Sequence, residues 1–127
     1  MKMTNQEIIN FASAAFGNKK VPIKIAYAIS KNAETVGAAF KAYEETRKKR
    51  LEEYAEKDEE GNPIIENGQY VVEDLAAWSE EIRELLEIET EVQVHKVSID
   101  EFMKCDDSRF DVFSVSEMAI LNFMIEE

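Results

Sequence analysis

The sequence predicts an α+β fold that is mostly helical, with one long helix and a small antiparallel sheet. Apolar residues recur at helical spacing, without an interrupting proline, from residue 23 to 57. An Asn67-Gly68 pair separates two short apolar runs, and residues 89–97 alternate between apolar and polar. With 127 residues, the chain is expected to form a single domain.

The first helix is predicted at residues 5–16. Thr4 and Glu7 have the spacing of a capping box, in which each side chain satisfies a backbone amide of the other residue. Gly17 follows where a left-handed residue commonly ends a helix. The apolar face predicted for this helix consists of Ile8, Phe11, Ala12, Ala15 and Phe16.

The second helix is predicted to run from 23 to 57, after Pro22, whose missing N–H is tolerated in a first turn. The alternative for residues 21–29 is a strand. Such a helix would be about 50 Å long and could not bury its whole apolar face within so short a chain. We therefore expect self-association or a projecting arm. Its apolar positions are Ile25, Ile29, Ala33, Val36, Phe40, Tyr43, Leu51 and Tyr54.

A β-hairpin is predicted around Asn67-Gly68, because both residues tolerate the positive φ angles of a type I′ turn. In this register Ile65 faces Tyr70. Since an isolated hairpin is marginal in water, it needs a docking partner, and the alternating segment 91–97 is the expected third strand.

Three further helices are predicted. Asp74 can cap one that continues to about Glu87, and Ser98 with Glu101 indicates a short one. Ser114 with Glu117 gives a second capping box, ahead of a final apolar helix. The apolar residues expected in that last helix are Val115, Met118, Leu121, Phe123, Met124 and Ile125.

Composition excludes several function classes. The 27 acidic residues outnumber 15 basic ones, for a net charge of −12, so direct binding to nucleic acid is not expected. The acidity fits either solubility or mimicry of nucleic acid. Isolated glycines form no phosphate-binding loop. The polar start and the absence of a long apolar run predict a cytoplasmic protein without membrane contact.

No catalytic residue, metal site or cofactor is predicted. Cys105 and His95 could pair as nucleophile and base, but a structural thiol and a solvated histidine are the favoured interpretation. Asp58-Glu59-Glu60 lacks the alternating ligands of a calcium loop, so it is interpreted as a solvated helix end. A single cysteine excludes a four-cysteine zinc site and an internal disulfide.

The only dense basic run is Arg47-Lys48-Lys49-Arg50. Glutamates flank it at spacings that allow ion pairs along a helix, so a solvated, salt-bridged face is the first interpretation. The alternative is a site for a partner or an anion formed by Arg47, Lys49 and Arg50, after association brings copies together.

Several stretches together resemble an uncharacterised family of small proteins encoded by tailed phages and prophages of Gram-positive bacteria. None of these stretches is a catalytic motif, so the resemblance implies no activity and no site residues. The stretches are Val21-Pro22-Ile23-Lys24, Ala28-Ile29-Ser30-Lys31-Asn32, and segments 54–61, 89–97 and 123–127.

Size, acidity, the resemblance and the missing catalytic groups lead to one functional prediction. We expect a non-enzymatic phage accessory protein that binds a host or phage protein in the host cytoplasm, inhibiting an anti-phage defence component or sequestering its signal. The alternative is a virion or tail-assembly accessory or scaffolding protein. A third hypothesis is a homo-oligomer that binds a small anionic nucleotide through Arg47, Lys49 or Arg50.

Overall fold

A computed structural model describes residues 1–14 and 16–126 of the chain. It confirms the α+β class: one long helix, four shorter ones and small two-stranded sheets. Ala15, predicted in the first helix, and Glu127, in the last stretch that carries the family resemblance, lie outside the described residues.

The first strand and helix follow directly from local sequence. Strand β1 (Lys2–Thr4) leads into α1 (Asn5–Ala12), and both halves of the predicted capping box are present. The Glu7 amide donates to Thr4 Oγ1 at 3.2 Å, and the Thr4 amide donates to the Glu7 carboxylate at 3.1 Å. The helix ends earlier than the predicted residue 16. A 3₁₀ turn at Phe16–Asn18 instead carries the Phe16 ring into the core, 6.2 Å from Phe11.

Residues 21–29 begin a helix and do not form a strand: α2 spans Ile23–Tyr54, with Pro22 just before its first turn. Its 32 residues extend about 48 Å at 1.5 Å per residue. The helix stops before the predicted residue 57, because the next residues become extended and bond to the hairpin. Ala55 pairs with Val72, and the Glu56 amide donates to the Val71 carbonyl at 2.7 Å.

The hairpin has the predicted turn and register. Strands β2 (Ile65–Glu66) and β3 (Gln69–Tyr70) are antiparallel, Ile65 faces Tyr70, and Asn67 and Gly68 have φ angles of 53° and 77°. Its partner differs from the expected 91–97, because the hairpin docks on the extended segment that follows α2. That segment lies close in the chain, so less loop entropy is lost in pairing with it.

The segment after residue 88 pairs with the first strand of the protein. Strand β4 (Glu89–Glu91) lies antiparallel to β1, with Met3 opposite Thr90. The predicted alternation within 89–97 holds, since Val92 is buried while Gln93 and His95 are exposed. The segment is therefore half-buried, as the pattern indicates, but against a different neighbour.

The remaining helices and strands complete the fold. They are α3 (Leu75–Glu87), β5 (Val97–Ser98), α4 (Ile99–Met103), α5 (Val115–Leu121) and β6 (Ile125–Glu126). Asp74 caps α3, and the Ser114–Glu117 capping box begins α5, as predicted. The last helix is shorter than expected. After a 3₁₀ turn at Asn122–Met124, the chain extends and pairs in parallel with β5.

The core draws on the two ends of the sequence. Its fully buried members include Met3, Ile8, Ile25, Leu121 and Met124. By contrast, residues 41–87, here called the arm, contribute nothing to this cluster. They comprise the second half of α2, the hairpin and α3, and only Tyr43 and Ala55 among them are buried. The long helix thus extends past the core, as its length predicts.

Candidate binding groove

Two adjoining cavities lie beside the first turns of α2 and together form what we call the groove. Each has a volume of about 470 Å³, and they share walls made by Ile23, Lys24 and Glu101. The first cavity is completed by Tyr27 of α2 and by residues 95–98. The second continues past α4 to Met103 and Phe110. Both are open to solvent along one side of the molecule.

Large apolar side chains are exposed along the groove. Ile23 is 81% exposed, Met103 is 69% exposed and Tyr27 is 53% exposed. The reason lies in helical geometry: Ile25 and Ala28 face the core, so positions 23 and 27 are turned away from it on the same helix. Scattered exposed apolar residues need no explanation, but a contiguous set typically marks an interaction surface.

The wall opposite α2 is held in place by Asn32. This side chain is fully buried, and its amide donates to the His95 carbonyl at 2.9 Å while its oxygen accepts from the His95 amide at 2.7 Å. Thr35 adds a bond from its hydroxyl to the Gln93 carbonyl at 2.9 Å. Side chains of α2 therefore make the hydrogen bonds to segment 93–95 that a neighbouring strand would make in a sheet. These bonds fix the position of His95.

Two aromatic rings pack against each other in the wall of the first cavity. The Tyr27 and His95 rings have centroids 5.2 Å apart and are inclined at 78°, an edge-to-face arrangement. Val97 is buried and closes the apolar floor beside them, and Ser98 supplies a hydroxyl at the edge. An apolar group entering this cavity would thus meet ring and aliphatic surface, with polar groups around its rim.

Charged groups line the rim unevenly. The four cations are Lys24, Lys96, Lys104 and Arg109, and the two carboxylates are Glu101 and Asp107. The carboxylates are already engaged, since Glu101 pairs with Lys104 at 3.0 Å and with Lys24 at 3.7 Å. Asp107 pairs with Arg109 at 3.1 Å. The hydrogen bond from Lys104 lowers the pKa of Glu101.

The predicted basic site lies elsewhere. Arg47, Lys49 and Arg50 follow Ile23 by 24 residues or more along α2, about 36 Å for a regular helix. Arg50 is already paired with Glu81 of α3 and with Glu53. Arg47 is half-buried and Lys49 is exposed. The structure thus uses Arg50 to hold two helices together, while a binding role for this set remains a prediction.

Cys105 and His95 occupy different environments. The Cys105 thiol lies in the core, where burial raises its pKa and keeps it protonated. His95 is exposed in the groove, and no hydrogen bond joins the two side chains within residues 1–14 and 16–126. The arrangement favours the structural interpretation of this cysteine.

The acidic run after α2 is organised as a turn. The Asp58 carboxylate accepts from the amides of Glu60 and Asn62, both at 2.9 Å. In the described part of the chain, no group of three or more His, Cys, Asp or Glu side chains is placed to hold a metal ion. Nor does any helix of the described residues have the length and apolar character needed to cross a membrane.

Sequence patterns did not reveal the groove. In the sequence, Ile23 and Tyr27 fall within the second predicted helix but not among its apolar-face positions, and Met103 falls in the short helix predicted after Ser98. The available indication was that Ile23 and Tyr27 fall off the stripe formed on the same helix by Ile25, Ile29 and Val36. Comparison of the chain with protein-family models, curated proteins and solved structures finds no match. The physical character of the surface is therefore the guide to what the chain binds.

Proposed function

We propose that this protein acts by binding another protein through the groove, without catalysing a reaction. The observation that carries the proposal is the contiguous exposure of Ile23, Tyr27 and Met103 beside two cavities. Burial of such side chains gives roughly 1.5–3 kcal/mol each, so a partner that covers all three gains a substantial apolar contribution. Interfaces concentrate their affinity in a few buried anchors of this type.

The partner proposed is a host protein of anti-phage defence, met in the host cytoplasm. The resemblance to small phage and prophage proteins supports this origin, and the acidic, mostly helical chain fits a compact inhibitor. Sequestering the signal of such a defence system is the related mode of action. The groove supports a binding role. Whether the captured molecule is the defence protein or its signal would distinguish inhibition from sequestration.

The direct test is affinity capture from infected host cells with three forms of the protein. Wild type is compared with the double variant Ile23→Asp, Met103→Asp, and with Ile65→Asp as the matched control. Ile65 is 60% exposed but belongs to the hairpin, outside the groove. We expect the double variant to recover at least tenfold less of one defence component than wild type recovers. The control should recover as much of it as wild type. Equal recovery by all three forms would overturn the proposal.

An assembly role is the second candidate, and the length of α2 favours it. A helix of about 48 Å that passes the core suits a scaffolding or tail-assembly accessory. The same capture experiment distinguishes the two candidates. Phage structural proteins as the main groove-dependent product would support assembly and exclude the inhibitor.

Self-association is proposed for the arm. Helix α3 is amphipathic, yet none of its thirteen residues is buried. Trp78 packs on Tyr54 at 5.4 Å between ring centroids, while Leu75 stays exposed and Ile82 and Leu85 are only half-covered. A second copy covering this face would bury what a single copy leaves in water.

A further inference from the structure

We infer that the segment of the partner that enters the groove is an acidic peptide with two apolar anchor residues. The inference rests on the proposed binding function and specifies the chemistry of the ligand. It follows from three features of the groove: the sign of its charge, its division into two cavities, and a cation on its rim for which the described residues supply no ion-pair partner.

The charge of the groove is opposite to that of the whole protein. Four cations and two carboxylates give its rim a net charge of +2, whereas the chain carries −12. A basic segment would be repelled by this rim and attracted to the acidic surface elsewhere, and a neutral segment would gain no electrostatic attraction from the rim. An acidic segment is attracted to the groove and repelled by most of the remaining surface, which gives specificity for the groove and orients the segment in it.

The shape of the groove calls for two anchors. Ile23 contributes to both cavities and stands between them. One apolar side chain fits against Tyr27 and Val97 in the first cavity. A second fits against Met103 and Phe110 in the other. A small ligand that fills one cavity would leave the other apolar set in water, so a peptide segment accounts for more of the exposed surface.

Lys96 provides the charge contact. It is exposed on the rim of the first cavity, and no ion pair involves it among residues 1–14 and 16–126. Lys24 and Lys104 share Glu101, and Arg109 pairs with Asp107, so these cations are partly neutralised. A carboxylate next to the first anchor would therefore meet Lys96.

The test is selection from a displayed library of random 12-residue peptides on the immobilised full chain. We expect enriched peptides to carry two large apolar residues with Asp or Glu beside the first. Synthetic copies are then titrated against wild type, Lys96→Glu and Lys41→Glu. Lys41 is an exposed lysine of α2 outside the groove, which makes it the matched control.

Lys96→Glu replaces an exposed attraction with a repulsion, so we expect it to weaken peptide binding roughly three- to tenfold, and we expect Lys41→Glu to leave peptide binding unchanged. Peptides that lose binding to Ile23→Asp but are neutral or basic would overturn the acidic ligand while leaving the groove as a binding site. Enrichment that is equal on wild type and on the Ile23→Asp, Met103→Asp variant would overturn the groove itself. Displacement of the peptides by millimolar ATP with retained Lys96 dependence would point to a nucleotide and would also contradict the inference.

Discussion

At the level of single residues, the groove depends most directly on Asn32. Its buried amide satisfies both the N–H and the C=O of His95. Removal of one partner from a buried hydrogen bond leaves a desolvated group that costs roughly 1–3 kcal/mol. We therefore expect Asn32→Ala to lower the free energy of unfolding by about 3 kcal/mol, measured by urea titration.

The matched control for this substitution is Asn10→Ala. Asn10 is exposed, and among the described residues its side chain bonds to Gln6 alone, one turn away on α1. Its loss should change the free energy of unfolding by less than about 0.5 kcal/mol. An equal effect of the two substitutions would mean that Asn32 does not hold segment 93–95.

Sequence alone could identify residues whose roles are local. The capping residues Thr4, Asp74 and Ser114 act on amides three positions away, so the sequence contains both partners. Asn32 acts on His95, which is 63 positions away. A buried asparagine in mid-helix cannot be told from an exposed one without knowing what packs against it.

At the level of elements, the hairpin turn offers a test of backbone conformation. Gly68 has a φ of 77°, and no atom outside its neighbours lies within 4 Å of an added Cβ. Gly68→Ala should therefore cost about 1 kcal/mol through backbone strain alone. Gly37 lies inside α2 and is equally uncrowded, so it serves as a control for which the opposite change is expected. Gly37→Ala should raise the free energy of unfolding by about 1 kcal/mol.

Urea titrations of the two alanine variants check this pair. Destabilisation by Gly37→Ala, or no cost for Gly68→Ala, would contradict the assigned backbone at that position.

The hairpin itself was predictable, because Asn67-Gly68 selects its turn within two residues. Its docking partner was not, since several short extended segments compete and only the folded chain shows which is nearest.

The contact between α2 and α3 should respond to acid. Glu81 accepts from Tyr54 and pairs with Arg50, and both partners lower its pKa. A lowered folded-state pKa means that its contribution is present above the ordinary pKa and is lost as pH falls. We expect the fluorescence of Trp78, the only tryptophan, to report loosening of α3 between about pH 5 and pH 3.

Glu81→Gln should already show the loosened signal at pH 7 and should flatten the change below pH 5. Glu84→Gln is the matched control, because Glu84 is exposed on the same helix and makes no hydrogen bond in the described part of the chain. An acid transition that persists unchanged in Glu81→Gln would assign it to other carboxylates.

At the level of the whole molecule, we expect the arm to determine the state of association. The apolar pattern from 23 to 57 predicted more surface than one chain can bury, and α3 adds a second uncovered face. We expect light scattering after size exclusion to give a mass of twice 14.6 kDa or more at micromolar concentration. Leu75→Glu with Ile82→Glu should return the mass to that of one chain.

A mass of 14.6 kDa for wild type at all concentrations up to 100 μM would contradict self-association of the arm.

The fold class was predictable because periodicity and turn residues are local features of the sequence. The groove was not, because it forms where the start of α2 meets segments some 70 to 80 residues later. Exposure of apolar residues is a property of the assembled surface.

The most direct measurement is light-induced crosslinking in cells of the proposed host from a benzoylphenylalanine placed at position 23, with the same residue at position 65 as the control. A groove that binds one partner predicts a single main adduct with another protein from position 23, abolished by Met103→Asp, and no adduct with that protein from position 65. Adducts of equal yield from both positions, or from position 65 alone, would contradict a binding role for the groove.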